Sequence, residues 1–247
     1  MRERPPLDKA LDAYREQVLR WNSQINLISR KATPERLEGL ILQCRNSWKR
    51  LVETETEGFS PNTRLRYFDL GSGAGLPGFI WHVQAAVGGI PIRTLLVEPR
   101  EKRAWFLNRL NSLDGIPPLE VSARSWEDAA GEDPEAGAGL ADATHILISL
   151  KALHLTDTMV LAGLAPFLRV GRTTADAPGG IKVLIARFYP PGQAWNEDLA
   201  RDLEIPPPGE ARALSEWKFQ GAGGSVLLAE SPRGASLVLS RYAANPA

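Results

Sequence analysis

The chain has 247 residues, with 29 Lys and Arg against 29 Asp and Glu, a formal net charge of zero, 43% hydrophobic and 23% charged residues. This length supports one full-size α/β domain with additions, and the charge balance excludes a protein that coats nucleic acid nonspecifically, while leaving room for a local basic patch. A single cysteine, Cys44, and three scattered histidines exclude an internal disulfide and a cysteine-cluster zinc site, so no metal is expected. No apolar run reaches the roughly 18 residues of a membrane span, and no membrane partner is expected. The charged start, Met1 to Pro6, lacks the apolar core of a secretory signal, so a cytoplasmic location is expected by default.

Taken in order, Leu7, Leu11, Tyr14, Val18, Trp21 and Ile25 recur at spacings of four and three, which predicts a helix over Leu7 to Asn22. Thr33 can cap and Pro34 begin a second helix, whose face carries Leu37, Leu40, Ile41, Cys44, Trp48 and Leu51. These helices form an N-terminal extension, residues 1–60, ahead of a main domain over 61–247. Strands are expected near 64–70, 93–98, 118–122, 145–149 and 181–187, and helices near 77–87, 100–113 and 155–168. That alternation is the mark of a doubly wound, mostly parallel sheet. Residues 129–142 and 171–180 read as loops, and Asn196 to Leu203 as a short helix. The end reads as a hairpin, Ser225 to Ala229 and Ser236 to Ser240 about a Ser231-Pro232-Arg233-Gly234 turn, giving a seven-stranded sheet with an antiparallel last strand.

The stretch with the most chemistry is Phe68-Asp69-Leu70-Gly71-Ser72-Gly73-Ala74-Gly75-Leu76-Pro77-Gly78, between the first strand and the next helix. Gly71, Gly73 and Gly75 tolerate positive φ and let a ligand lie against the backbone and a helix N-terminus. A dinucleotide fingerprint needs glycine at the sixth position, where Leu76 stands, so a diphosphate clamp is disfavoured. G-x-G-x-G preceded by Asp69 suits a nucleoside with a short charged tail, such as S-adenosylmethionine. Glu98 ends the next strand, where an acid accepts hydrogen bonds from ribose hydroxyls. An ordinary glycine turn and a solvated rim acid are the plain alternatives, and the pairing of the two features argues against both. Arg100, Lys102, Arg103, Arg109 and Arg124 crowd the chain after Glu98 and read as a solvated helix face. Trp21 and Trp48 read as core, and His82, His145 and His154 as structural.

On these residues the chain resembles the glucose-inhibited division protein B family, also called ribosomal small-subunit RNA methyltransferase G. Trp21 to Ser29 is similar to the family's segment joining its N-terminal helices, Phe68 to Gly78 to its cofactor loop, and Leu95 to Leu107 to its acid-ended strand and following helix. The resemblance implies a Rossmann-like class I S-adenosylmethionine-dependent methyltransferase fold that methylates a guanine N7 in 16S rRNA, with 16S rRNA or the small ribosomal subunit as partner and the chain a monomer. It also implies that Ser125 and Trp126 lie against the adenine, with a packed tryptophan an equal reading for Trp126. The chain departs from the family at four places. Leu40 to Cys44 replaces His-Ile-Leu-Asp-Ser, Arg124-Ser125-Trp126 replaces Arg-Val-Glu, Leu150-Lys151-Ala152 replaces Ser-Arg-Ala, and Arg187-Phe188 replaces Lys-Gly.

Guanine N7 carries an unprotonated lone pair, so in-line methyl transfer needs no general base, and no catalytic residue is assigned. The expected cofactor contacts are Asp69, fixing the loop or the ammonium group, with Gly71, Gly73, Gly75, Leu76, Glu98, Ser125, Trp126 and Lys151. Arg124, Lys151 and Arg187 are the expected substrate contacts on the sheet rim, with a solvated rim charge as the alternative. Two other functions stay open: a methyltransferase of this fold acting on another RNA, a protein or a small molecule, and a noncatalytic module that binds the cofactor or the ribosome.

Overall fold

The computed structural model describes residues 6–29, 32–55, 59, 63–129, 143–151, 153, 155–170, 181–189, 217–221, 226–230 and 236–246. Helix α1 (Pro6–Ile25) buries Leu11, Tyr14 and Val18 of the predicted stripe together with Ala10, while Leu7, Trp21 and Ile25 are partly buried. Helix α2 (Pro34–Thr54) is capped by Thr33, whose side chain accepts from the Arg36 N–H, and it buries Leu37, Ile41, Cys44, Ser47, Trp48 and Leu51.

After them come β1 (Leu65–Leu70), α3 (Gly78–Val87), β2 (Ile92–Val97), α4 (Glu101–Leu110), β3 (Glu120–Ser122), α5 (Trp126–Ala129), β4 (His145–Lys151) and α6 (Asp157–Val170). The chain then forms β5 (Ile181–Tyr189), β6 (Trp217–Gly221), β7 (Val226–Glu230) and β8 (Ser236–Pro246). Helix α4 ends three residues short of expectation. Just beyond it, the Asn111 side chain turns to the next loop, accepting from the Leu119 N–H at 3.0 Å and donating to its carbonyl at 2.9 Å.

The sheet order is β3-β2-β1-β4-β5-β8-β6, parallel from β3 to β5, with β8 antiparallel to β5 as expected of the last strand. Among the described residues the sheet has eight strands where seven are expected. β6 and β7 both pair with β8, β6 along Tyr242 to Pro246 and β7 along Ser236 to Leu239, so the two share one position at the sheet edge. The unexpected β6 is Trp217-Lys218-Phe219-Gln220-Gly221, a short alternation of apolar and polar residues among glycines and prolines. Of the loop expected over 129–142, Ala129 belongs instead to α5, and the rest, with the loop over 171–180, the helix Asn196 to Leu203 and the turn Ser231 to Gly234, lies outside the described residues.

Helices cover both faces, which is why β1 is buried along its whole length. On one face α1 to α4 pack against Leu65, Tyr67, Leu96, Leu147, Leu184 and Phe188. On the other, α5 and α6 pack against Phe68, Leu70, Val97, Ile146, Ile148 and Ile185. Arg66, fully buried on that second face, forks onto Glu120 of β3 at 2.8 and 3.0 Å and lies over the Phe68 ring.

The N-terminal helices are joined to the main sheet by buried polar contacts. Tyr14 stacks on Phe79 of α3 and donates its hydroxyl to the Ala74 carbonyl at 2.9 Å. Trp81 Nε1 donates to the Cys44 carbonyl at 2.9 Å. Glu55, just past α2, holds Lys182 of β5 and Arg241 of β8, each at 2.6 Å. Tyr14→Phe keeps the ring stack and leaves the buried Ala74 carbonyl without this donor; the expected cost is about 1 kcal/mol in the urea denaturation free energy.

Candidate functional site

From β1 the chain passes to β2 and β3 on one side, while β4 and β5 lie on the other. The crevice over the carboxyl ends of β1 and β4 is therefore the place where an open α/β sheet takes a ligand. The glycine-rich loop leaves β1 at that point. Gly71, Gly73 and Gly75 have φ of 68°, 57° and 86°, all in the left-handed region their spacing predicts. The loop is pinned from below, since the Gly71 and Ser72 N–H groups donate to the Val97 carbonyl at 2.8 and 3.1 Å.

The two features that the sequence pairs are in direct contact. Glu98 is buried, with Oε2 accepting from the Gly73 N–H at 2.9 Å and Oε1 from the Arg100 N–H at 3.0 Å. One carboxylate thus holds both the cradle and the turn into α4, and each oxygen keeps a further lone pair for a ligand hydroxyl.

Asp69 points inward rather than into the crevice. Its Oδ2 accepts from the Gly78 N–H at 3.2 Å at the start of α3, and its Oδ1 accepts a short bond from the Ser149 hydroxyl of β4, which also bonds Tyr67 at 2.7 Å. Of the two roles expected for Asp69, this geometry supplies the one that fixes the loop. Burial pushes its carboxyl up to about 6, against the bonds from Ser149 and Gly78 and the nearby charge of Lys151. Gly78 is required by close approach. A Cβ there would lie 2.4 Å from Asp69 Oδ2 and 2.6 Å from Leu96 Cδ2.

The other expected residues divide. Leu76 is 5% exposed and packs in the core beneath the loop. Ser125 caps α5, taking the Asp128 N–H at 3.3 Å and donating to the Asp128 carboxylate at 2.7 Å. Trp126 is taken up by the core. Its ring stacks on Phe167 at 5.3 Å, its N–H donates to the Val160 carbonyl at 3.2 Å, and it lies so close to Gly163 that a Cβ there would meet Nε1 at 2.2 Å. Trp126 is thus a packed side chain, 4% exposed.

Lys151, half-buried at the end of β4, sits over the Phe188 ring at 5.8 Å on the cradle side of the sheet. Arg187 departs from the rim position expected of it. It is 9% exposed, and its Nη2 bonds Asp157 Oδ1 at 2.6 Å, while Asp157 Oδ2 accepts from the Tyr242 hydroxyl at 2.7 Å. Arg124 is exposed on the turn before α5. The structure thus gathers Gly71, Gly73, Gly75 and Glu98 into one cradle, and separates Trp126 and Arg187 from it.

Four participants escaped the sequence reading. Ser149 stands as a polar residue between Ile148 and Leu150 in the apolar middle of β4, which is a usable signal, and Gly78 follows the cradle by three positions. Leu153, beyond β4, lies against Gly71, where a Cβ would meet its Cδ1 at 2.9 Å. Asp157 shows itself only through its partners. His82 is structural, as expected: buried, it takes the Thr94 hydroxyl on Nδ1 at 2.8 Å and reaches the Pro117 carbonyl from Nε2 at 3.0 Å, and burial lowers its pKa.

Residues 8–133 match the model of the GidB family, rRNA small subunit methyltransferase G. A curated relative from Rhodospirillum centenum, named ribosomal RNA small subunit methyltransferase G, is 30% identical over 176 residues, 70% of this chain and 71% of that one. One of the same name from Ruegeria pomeroyi is 29% identical over 193 residues, 76% of this chain and 75% of that one. Two others of that name are matched over about half their length. Among solved structures, MtNAS crystallised with MTA and tNA superposes with a TM-score of 0.49 at 11% identity, covering 96% of this chain and 69% of that one.

Two outcomes follow from the Asp69 clamp. Gly78→Ala forces the Asp69 carboxylate and Leu96 apart, and a loss of about 1–3 kcal/mol is expected by thermal denaturation. For pH, a carboxyl raised from 3.8 to about 6 binds a proton more readily folded than unfolded. Its contribution is full below the unfolded value and is lost as pH rises through the folded one. The stability of wild type relative to Asp69→Asn should therefore rise as pH falls from 7 towards 4, by an amount on the order of 3 kcal/mol; a difference that stays flat in urea titrations across that range refutes it.

Proposed function

Because the chain belongs to the GidB family, rRNA small subunit methyltransferase G, we propose that it transfers a methyl group from S-adenosylmethionine to a guanine N7 of 16S rRNA in the small ribosomal subunit. The observation that carries the reading is the left-handed glycine cradle bonded directly to Glu98 at the β1/β4 reversal. The residues fit this cofactor. Gly73 has nothing nearer than 3.8 Å where a Cβ would stand and leaves backbone open to a short amino-acid tail, while Leu153 covers Gly71 and Phe79 packs on Gly75; Glu98 has lone pairs for the two ribose hydroxyls. S-adenosylmethionine supplies an electrophilic methyl carbon on a sulfonium leaving group, and because guanine N7 needs no deprotonation the chain needs no general base.

The protein's own work is then positioning. Gly71, Gly73 and Gly75 hold the tail, Glu98 orients the ribose, Ser125 borders the adenine, and Lys151 and Arg124 provide positive charge on the rim for the carboxylate or an RNA phosphate. Asp69 acts indirectly, by holding the cradle to α3 and β4. In this reading the chain acts as a monomer in the cytoplasm. A second reading, the same chemistry on a different acceptor, is favoured by one observation: Arg187 is closed in with Asp157 instead of being offered to a substrate.

Calorimetric titration with S-adenosylmethionine should show binding by the wild type and at least tenfold weaker binding by Gly73→Asp and Glu98→Ala. Absence of binding at millimolar cofactor overturns both readings. Mass spectrometry of 16S rRNA from a deletion strain should show one N7-methylguanine lost and restored by the wild-type gene alone; an unchanged pattern leaves the second reading in force.

A further inference from the structure

Beside the cradle, α1 and α4 leave an open groove of about 370 Å³ lined by Trp21, Gln24, Ile25, Glu101, Lys102 and Trp105. Trp105 is 46% exposed, although Phe106 and Leu107, next to it on α4, are completely buried. The two indoles meet edge to face at 4.8 Å, so the Trp105 ring is held in one orientation with much of it open to solvent. Cations surround the pair. Arg20 and Arg109 lie over the Trp21 ring at 5.7 and 5.6 Å, and Arg109 lies over Trp105 at 5.9 Å. Gln17 fixes Arg109 through a 3.2 Å bond from its Nε, and Lys102 is exposed on the lip. Among the described residues, Glu101 is the one acid lining the groove.

The groove adjoins the cradle. Helix α4 starts three residues after Glu98, and Arg103 donates to the Asn26 carbonyl at 2.8 Å while its Nη1 lies 3.9 Å from where a Cβ on Gly73 would stand. In a chain of zero net charge, three cations gathered about the Trp21–Trp105 pair make a local positive field with a flat apolar surface beside it. An acidic peptide satisfies the cations and leaves Trp105 idle. A strand with π-faced bases and regularly spaced phosphates satisfies both.

We propose that this groove binds single-stranded RNA, with a base stacked on Trp105 and adjacent phosphates against Arg20, Lys102 and Arg109. The inference rests on the RNA methyltransferase reading and deepens it, by naming a surface that holds the substrate strand away from the reacting atoms.

The test uses the full chain and a fluorescein-labelled 12-nucleotide single-stranded RNA of mixed sequence, followed by anisotropy at several salt concentrations. Trp105→Ala should weaken binding about tenfold, the size of one lost stacking contact. The exposed pair Arg20→Glu with Lys102→Glu, which removes no buried side chain, should weaken it further and reduce the salt slope by about 1.4 for two lost phosphate contacts. S-adenosylmethionine affinity should be unchanged in all variants, which also checks their folding.

RNA affinity and salt slope equal to wild type in the charge pair overturn the proposal, as does a wild type that does not bind the 12-mer. A polyglutamate peptide that binds as tightly as the RNA overturns RNA as the occupant. If the wild type binds RNA through these residues but methylates none, the surface stands and the activity reading falls. If methylation is intact and the variants bind RNA normally, the surface falls and the activity reading stands.

Discussion

The carboxylate of Asp69 sits where three elements have to meet: the end of β1, the first turn of α3 and Ser149 of β4. It accepts from Gly78 on one side and Ser149 on the other. An ionised carboxylate in that position loses its hydration and is tolerable only with such donors, so the donors and the burial come as a set. Because the clamp spans the line where strand order reverses, the glycine loop above it has a fixed floor. The loop's shape is therefore set before a ligand arrives. Glu98 performs the matching task from β2, joining the loop to α4 through two backbone N–H groups.

The N-terminal helices are part of the same construction. Tyr14 reaches across to the Ala74 carbonyl within the cradle, and Arg103 reaches back to Asn26, which itself adopts a φ of 57° just past α1. α1 thus borders both the cofactor cradle and the aromatic groove. A displacement of this helix would be felt in both places at once.

The cradle, Glu98 and the parallel order were legible because each rests on local chemistry: glycine at left-handed positions, an acid at a strand end, apolar runs separated by helical periods. The positions that were not legible depend on partners far along the chain. Trp126 reads as a candidate for the adenine only until Gly163 and Val160 are seen to receive it, and both lie in a helix more than 30 residues later. Arg187 reads as a rim cation until Asp157 and Tyr242 close around it, from elements before and after it in sequence. Conversely, the tryptophan at 105 is one letter within a helical period, and nothing in that period says its neighbours would be buried and it would not. The strand at Trp217 was not legible, because five residues of weak alternation give too short a period to stand out.

Glu55 lies just beyond the second helix and answers to two cations from strands at the other end of the chain, Lys182 and the largely buried Arg241. Removing the first 60 residues would do more than strip a decoration from a self-sufficient sheet. It would leave that arginine and its lysine neighbour without their carboxylate and expose the apolar face that α1 and α2 cover. The helices and the sheet thus share buried contacts drawn from both ends of the sequence, and a nascent chain cannot complete its first segment's partnership until its last strand has been synthesised.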